Sequence, residues 1–211
     1  WAVAGSLGRV VELREATLQE ERVRTAGARL PLGMQGSKGW AGDVAEWAGP
    51  EFSKATVRFM EAMGEGENEA SSATSCDLYR IVDLRPLLAA RTSDKAALEF
   101  SAEFLDNRPA AGDLVRFTVR VQLYSGEPED FVRRWPESRA EVVSLGSELV
   151  RSSGGEPGVW RRAVAQTFVP RQATFALLQV VATRAAHGGP ARFEAQYVRA
   201  ISAKLRSAPT P

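Results

Sequence analysis

Ala97-Leu-Glu-Phe-Ser-Ala-Glu-Phe-Leu105 and Leu114-Val-Arg-Phe-Thr-Val-Arg-Val-Gln-Leu-Tyr124 decide the fold class. In the first stretch Leu98, Phe100, Ala102 and Phe104 fall on one side of an extended chain, and Glu99, Ser101 and Glu103 on the other. In the second, Val115, Phe117, Val119, Val121 and Leu123 alternate with Arg116, Thr118, Arg120, Gln122 and Tyr124. A period of two marks a strand, because successive side chains leave a pleated backbone on opposite faces. One dry face and one wet face imply a sheet packed on one side only, as in a sandwich. Asp106-Asn-Arg-Pro-Ala-Ala-Gly-Asp113 lies between the two and is rich in turn formers, so they are expected to pair as an antiparallel hairpin.

Outward from this pair the pattern repeats. Strands are expected at residues 55–63, 77–84, 141–150, 160–169, 174–183 and 192–205, separated by Gly, Pro, Asp and Asn clusters. One or two more should come from residues 1–35, where 8–29 reads as edge strand slightly ahead of helix. Residues 128–135 form the best helical segment. Pro128 opens it, Glu129 and Asp130 face its partial positive end, and Pro136 stops it. No repeat or low-complexity linker divides the chain. A single β-sandwich domain is expected over 1–206, with 1–50 irregular or edge strands and 207–211 a tail or linker. Residues 64–75, rich in Glu, Ser and Gly, should be a solvated loop.

Composition narrows the chemistry. With 211 residues, 44% of them hydrophobic and 25% charged, the chain can bury a sizeable core and is not disordered, collagenous or a coiled coil. One cysteine, Cys76, and one histidine, His187, exclude intramolecular disulfides, Cys/His zinc cages and any site needing two histidines. His187 sits in Ala-Ala-His-Gly-Gly-Pro190 and reads as a turn residue rather than a catalytic base. No nucleophile elbow or phosphate-binding loop is present. Two carboxylates suffice for glycoside hydrolysis, but Glu99 and Glu103 lie roughly 13 Å apart along one strand face, too far for the usual pair. Asp77 and Asp83 bracket a strand and suit turn stabilisation better than calcium. The expectation is therefore a non-enzymatic domain without cofactor or metal.

The formal net charge of +1 hides a polarity. Residues 1–160 carry nineteen Lys and Arg against twenty-five acids, and residues 161–211 carry eight against one. Such clustering could mark an anionic partner or an acidic neighbour. Yet 23 of the 27 basic residues are arginine, spread through the chain, so arginine also reads as its default polar residue on exposed strands. The basic region lacks the Lys/Arg runs and interleaved aromatics of a nucleic-acid groove, so no nucleic acid is expected. No apolar stretch reaches the roughly 18–20 residues that span a bilayer, so no direct membrane insertion is expected either. Trp1 to Gly5 contains neither Met nor a signal-like run, and reads as the start of an excised or processed chain.

Aromatic residues are the sharper feature. Trp40, Trp47 and Trp135 lie in loop-rich segments, and Tyr124 falls on the polar side of its strand. A flat ring with a polar edge suits a sugar face or a protein hot spot, while a loop tryptophan also commonly plugs the end of a sandwich. Trp160 and Phe168 are assigned to the core or its margin. If a ligand surface exists, Tyr124, Trp135 and Trp40 are the candidate stacking platforms. Arg116, Arg120 and Gln122 are their polar partners on one solvent-facing strand.

The order of features from Asp77 onward resembles the galactose-binding-like jelly rolls found among carbohydrate-binding modules. The matching phrases are Asp77-Leu-Tyr-Arg-Ile-Val-Asp-Leu84, Leu98-Glu-Phe-Ser-Ala102, Trp160 through Thr167-Phe-Val-Pro170, Ala176-Leu-Leu-Gln-Val-Val181, and Phe193 followed by Tyr197-Val-Arg-Ala-Ile201. The chain is also similar to the extracytoplasmic part of FecR-like anti-sigma regulators. This resemblance implies an all-β jelly-roll β-sandwich of two antiparallel sheets with one short helix. It further implies an exported or cell-envelope setting and a non-catalytic binding or sensing role, with a glycan as ligand. Arg199 and Ala200 stand where the family tends to place acids, which argues against its calcium site. The same sandwich also serves as a structural or protein-interaction domain in larger chains, so a protein partner stays open. Oligomeric state is not legible.

Overall fold

Strand dominates the computed structural model, which describes residues 11–13, 41–42, 45–47, 57–59, 73–89, 96–135, 137–185, 193 and 195–207. In chain order the strands are β1 (Val11–Leu13), β2 (Ala41–Gly42), β3 (Ala45–Trp47), β4 (Val57–Phe59), β5 (Ala73–Asp83), β6 (Ala96–Asp106), β7 (Ala111–Tyr124), β8 (Ser144–Gly154), β9 (Trp160–Phe168), β10 (Phe175–Ala185) and β11 (Gln196–Ser207). The expected helix is α2 (Pro128–Arg133), and two further short turns join it: α1 (Arg85–Ala89) and a 3-10 turn at Glu137–Glu141. His187 and Trp40 lie outside the described residues.

One sheet runs β3-β4-β11-β6-β9, with β1 also on β11, and the other runs β2-β5-β10-β7-β8. Every pairing is antiparallel. From β4 to β11 the chain crosses to the opposite sheet at every connection except β7 to β8. Four strands, β4-β11-β6-β9, thus face β5-β10-β7-β8, which is the double Greek key of a jelly roll.

The expected hairpin between β6 and β7 does not form. Both strands have the predicted dry face, but the faces meet across the sandwich instead of lying side by side. Phe104 stacks on Phe117 with ring centroids 5.1 Å apart. Phe59 lies 6.4 Å from Phe117 and 6.3 Å from Phe193, extending the apolar layer. Turn formers show that a chain reverses; they do not say whether the next strand joins the same sheet. The predicted wet face of β6 is also drier than its alternation implies. Ala97, Ser101 and Leu105 are buried there, and only Glu99 and Glu103 reach solvent. Arg162 reaches Ser101 from β9, and long cationic stems of this kind shield small residues while their heads stay wet.

Phe168 corrects another expectation, since it is 70% exposed. Along β9 the inward positions are Ala163, Ala165 and Thr167, which leaves Trp160, Val164 and Phe168 outside. Small inward residues are required here because β8 passes very close. A Cβ on Gly146 would lie 2.4 Å from the Gln166 carbonyl oxygen. Ser144 and Thr167 hydroxyls also meet across this edge at 2.6 Å.

The charge polarity of the sequence resolves inside the fold. Arg199 donates to Glu103 at 2.9 Å and Arg206 to Glu99 at 3.0 Å, both between β11 and β6. Arg184 of β10 donates to Asp113 at 3.0 Å. The acidic body and the basic C-terminal strands therefore neutralise each other, which removes much of the reason for assigning the basic strands to an outside partner. Glu99 and Glu103, weighed above as a carboxylate pair, are both held by arginine.

At one end of the sandwich Asp106 joins three elements. It accepts hydrogen bonds from Arg108 Nε at 2.8 Å and Nη2 at 2.7 Å, and from Gln196 Nε2 at 2.9 Å. Burial alone would push its carboxyl up, but these donors and the guanidinium charge outweigh it and hold Asp106 below the usual carboxylate range. The folded value is thus lower than the unfolded one of about 3.9, so its stabilisation is complete above that pH and fades as pH falls through the folded value. Denaturant midpoints between about pH 6 and pH 2 should show Asp106→Asn less stable than wild type near neutrality and converging with it in acid. Parallel curves would refute the assignment. Gly146→Ala should cost about 2–3 kcal/mol in the same assay, because no flexible side chain can yield to the new methyl.

Candidate functional site

Strand β7 presents the predicted polar residues on the outer face of the β5-β10-β7-β8 sheet. Its inward residues Val115, Phe117, Val119, Val121 and Leu123 are at most 1% exposed, and alternation sends Arg116, Thr118, Arg120, Gln122 and Tyr124 outward. The register places Thr183 and Arg151 on either side of Arg116. Gln179 and Ser147 flank Arg120, and Leu177 and Leu145 flank Gln122. One sheet therefore brings Arg116, Arg120, Gln122 and Tyr124 onto one surface, as expected.

Exposure differs sharply along that surface. Arg116 and Arg151 are exposed and Arg120 is half-buried, whereas Gln122 and Tyr124 are buried. The reason is α2. Its Pro128 start and acidic first turn set a six-residue helix whose Phe131 and Val132 press onto the sheet. Phe131 lies 4.5 Å from Tyr124 and 5.3 Å from Phe175, and Tyr124 stacks on Phe175 at 5.4 Å. Tyr79, Ile81 and Leu177 complete this second apolar cluster on the outside of the sheet. The Ser138 hydroxyl donates to the Phe131 carbonyl at 2.8 Å and fixes the 3-10 turn onto α2. Arg85 joins Asp83 to Glu127, the residue before α2, at 3.0 and 2.8 Å.

Tyr124 is therefore corrected as a stacking platform. It is 1% exposed and its ring packs against Phe131 and Phe175. Trp135 is half-buried, edge-on to Phe131 at 5.4 Å, with the Arg139 guanidinium 5.3 Å above its ring. What remains of the predicted aromatic surface is a polar one. The Tyr124 hydroxyl and Gln179 Oε1 are buried without a hydrogen-bond partner among the described residues. Burial pushes the Tyr124 phenol above the ordinary tyrosine range, although Arg139 and Arg120 pull the other way. Neither Arg116, Arg120 nor Arg151 has an ion pair among the described residues.

Sequence reasoning missed Arg151 and Gln179. Arg151 obeys the same alternation as Leu145, Ser147 and Leu149, but only the register reveals that it stands opposite Arg116. Gln179 had a visible signal, as the one polar residue in Ala176-Leu-Leu-Gln-Val-Val181. Among the described residues no group of three or more His, Cys, Asp or Glu side chains could hold a metal ion, and Asp83 is engaged by Arg85. Among the described residues no helix is long and apolar enough to cross a membrane. No protein-family model matches the chain, and no curated protein is detectably similar to it.

An unsatisfied buried hydroxyl destabilises, so Tyr124→Phe should be neutral or stabilising by about 1 kcal/mol in urea denaturation. A clear loss of stability would show that the hydroxyl is bonded.

Proposed function

We propose that this jelly roll is a non-catalytic binding module whose ligand is a glycan, taken on the outer face of the β5-β10-β7-β8 sheet. The observation that carries this reading is the concentration of unengaged polar groups there. Among the described residues Arg116 and Arg120 have no ion pair, and Gln122 follows them on the same face of β7. On the opposite sheet Arg199 and Arg206 are engaged by Glu103 and Glu99. Groups left over on one surface of a rigid sheet are what a hydroxyl-rich ligand needs, because a site on strands is held in place before binding. The galactose-binding-like resemblance supports the same role. It also supports an exported or envelope setting, within a FecR-like sensor or a comparable multidomain chain.

The alternative, a structural or protein-interaction domain, draws on the opposite sheet. Phe168 and Val164 are 70% and 39% exposed on β9, and exposed aromatics of this kind serve as anchors in protein interfaces. A glycan array followed by calorimetry separates the two. Wild type should bind a defined glycan class, with Arg116→Ala/Arg120→Ala at least about tenfold weaker and equally folded. A flat array, with a protein partner captured in a manner dependent on Phe168, would favour the alternative.

A further inference from the structure

We infer that the glycan is anionic, carrying carboxylate or sulfate groups that bridge Arg116 and Arg151. This rests on the glycan reading above and goes beyond it by naming the ligand's charge. The register sets Arg116 of β7 directly opposite Arg151 of β8. Both are exposed and project from the same outer face. Like charges directly opposite on neighbouring strands repel, and the cost is tolerated only where something offsets it. On the other sheet the chain supplies that offset itself, with Glu103 against Arg199 and Glu99 against Arg206. Among the described residues it does not do so here. Glu141 is held by Arg134 and Asp113 by Arg184, Glu148 of β8 stands opposite the inward-facing Val119, and Asp77 lies on β5, two strands from β7.

Geometry adds a direction. Arg120 stands four residues along β7 from Arg116, roughly 13 Å away at about 3.3 Å per residue. Two cationic levels at that separation fit an extended chain with repeated acid groups better than one small anion. Beyond Arg120 the face is neutral and covered by α2, so the exposed charge is confined to the end of the sheet that carries Arg116, Arg151 and Arg120. Single-stranded nucleic acid is the other polyanion to consider, and it is held by stacking its bases on aromatic rings. The Tyr124 ring is covered by Phe131 and Phe175, and Arg139 lies over Trp135.

The test measures binding of the intact chain to polygalacturonate and heparin, to methyl-esterified polygalacturonate, to neutral dextran and to single-stranded DNA. At least one of the two acidic polymers should bind, more weakly as salt is raised. Esterification, which removes charge and keeps the sugar, should weaken polygalacturonate at least about tenfold wherever it is the one bound. Arg116→Gln/Arg151→Gln should lose that affinity to a similar extent while its melting temperature stays level or rises, since repulsion is relieved. A melting temperature that falls along with affinity would overturn the assignment of the pair to ligand binding. Equal binding of acidic and esterified or neutral polymers would overturn the anionic inference and leave the glycan reading standing. Failure of both acidic polymers while an array glycan binds would do the same, and an empty array would remove both. DNA binding as tight as that of the acidic polymers would overturn the glycan class.

Discussion

Phe104 and Phe117 press ring against ring across the interior, and the arrangement of the chain follows from that contact. Each belongs to a strand with one continuous apolar face, and two such faces can be pressed against each other only if the strands lie in opposite sheets. Fully burying a phenylalanine is worth about 1.5–3 kcal/mol, so an apolar layer containing Phe59, Phe100, Phe104, Phe117 and Phe193 outweighs the local preference of a turn for a hairpin. Once β6 and β7 are assigned to different sheets, β9 and β11 flank β6 while β8 and β10 flank β7.

The two outer faces then acquire different characters. On the β6 side, β11 brings its arginines to the carboxylates of β6, and Arg199 also lies 3.8 Å over the Trp160 ring. That face is internally satisfied. The strand achieving this is irregular: the β11 register shifts between Arg199 and Ser202, and Ala200 sits at φ +51°. A left-handed alanine costs roughly 1–2 kcal/mol, a price consistent with the gain of two ion pairs and a cation–π contact on either side of the shift. On the β7 side the ion pairs and the cation–π contact gather at α2, and Arg116, Arg120 and Arg151 have no ion pair among the described residues.

Much of this was legible from alternation. The strands of β5 to β11 stand close to where the period-two pattern puts them, and Arg116, Arg120 and Gln122 share the face expected of them. Three things were not legible, each for a physical reason. Alternation says which residues share a face but not which sheet holds the strand, so β6 and β7 read as a hairpin. It cannot see a helix laid over that face, so Tyr124 read as an open ring although Phe131 covers it. Nor does net charge by segment reveal pairing: residues 161–206 looked like a basic surface until the register set Arg199 and Arg206 against β6. Phe168 failed differently, because an aromatic residue in a strand is taken as core unless its inward neighbours are known to be alanines held small by β8.

The position of β11 has a consequence for how the chain reaches this state. It is the last of the described strands in sequence, yet it lies inside its sheet, hydrogen-bonded to β6 on one side and to β4 and β1 on the other. Until it is made, β6 has an open edge and part of the apolar layer has no cover. A chain growing from its N-terminus therefore cannot complete the sandwich progressively, and closure waits for residues nearly a hundred positions after β6. Topologies dominated by such distant pairings fold slowly, and their unpaired edges are exposed in the meantime. The vulnerable period for this domain is thus its synthesis, when an unfinished sheet edge invites the wrong strand.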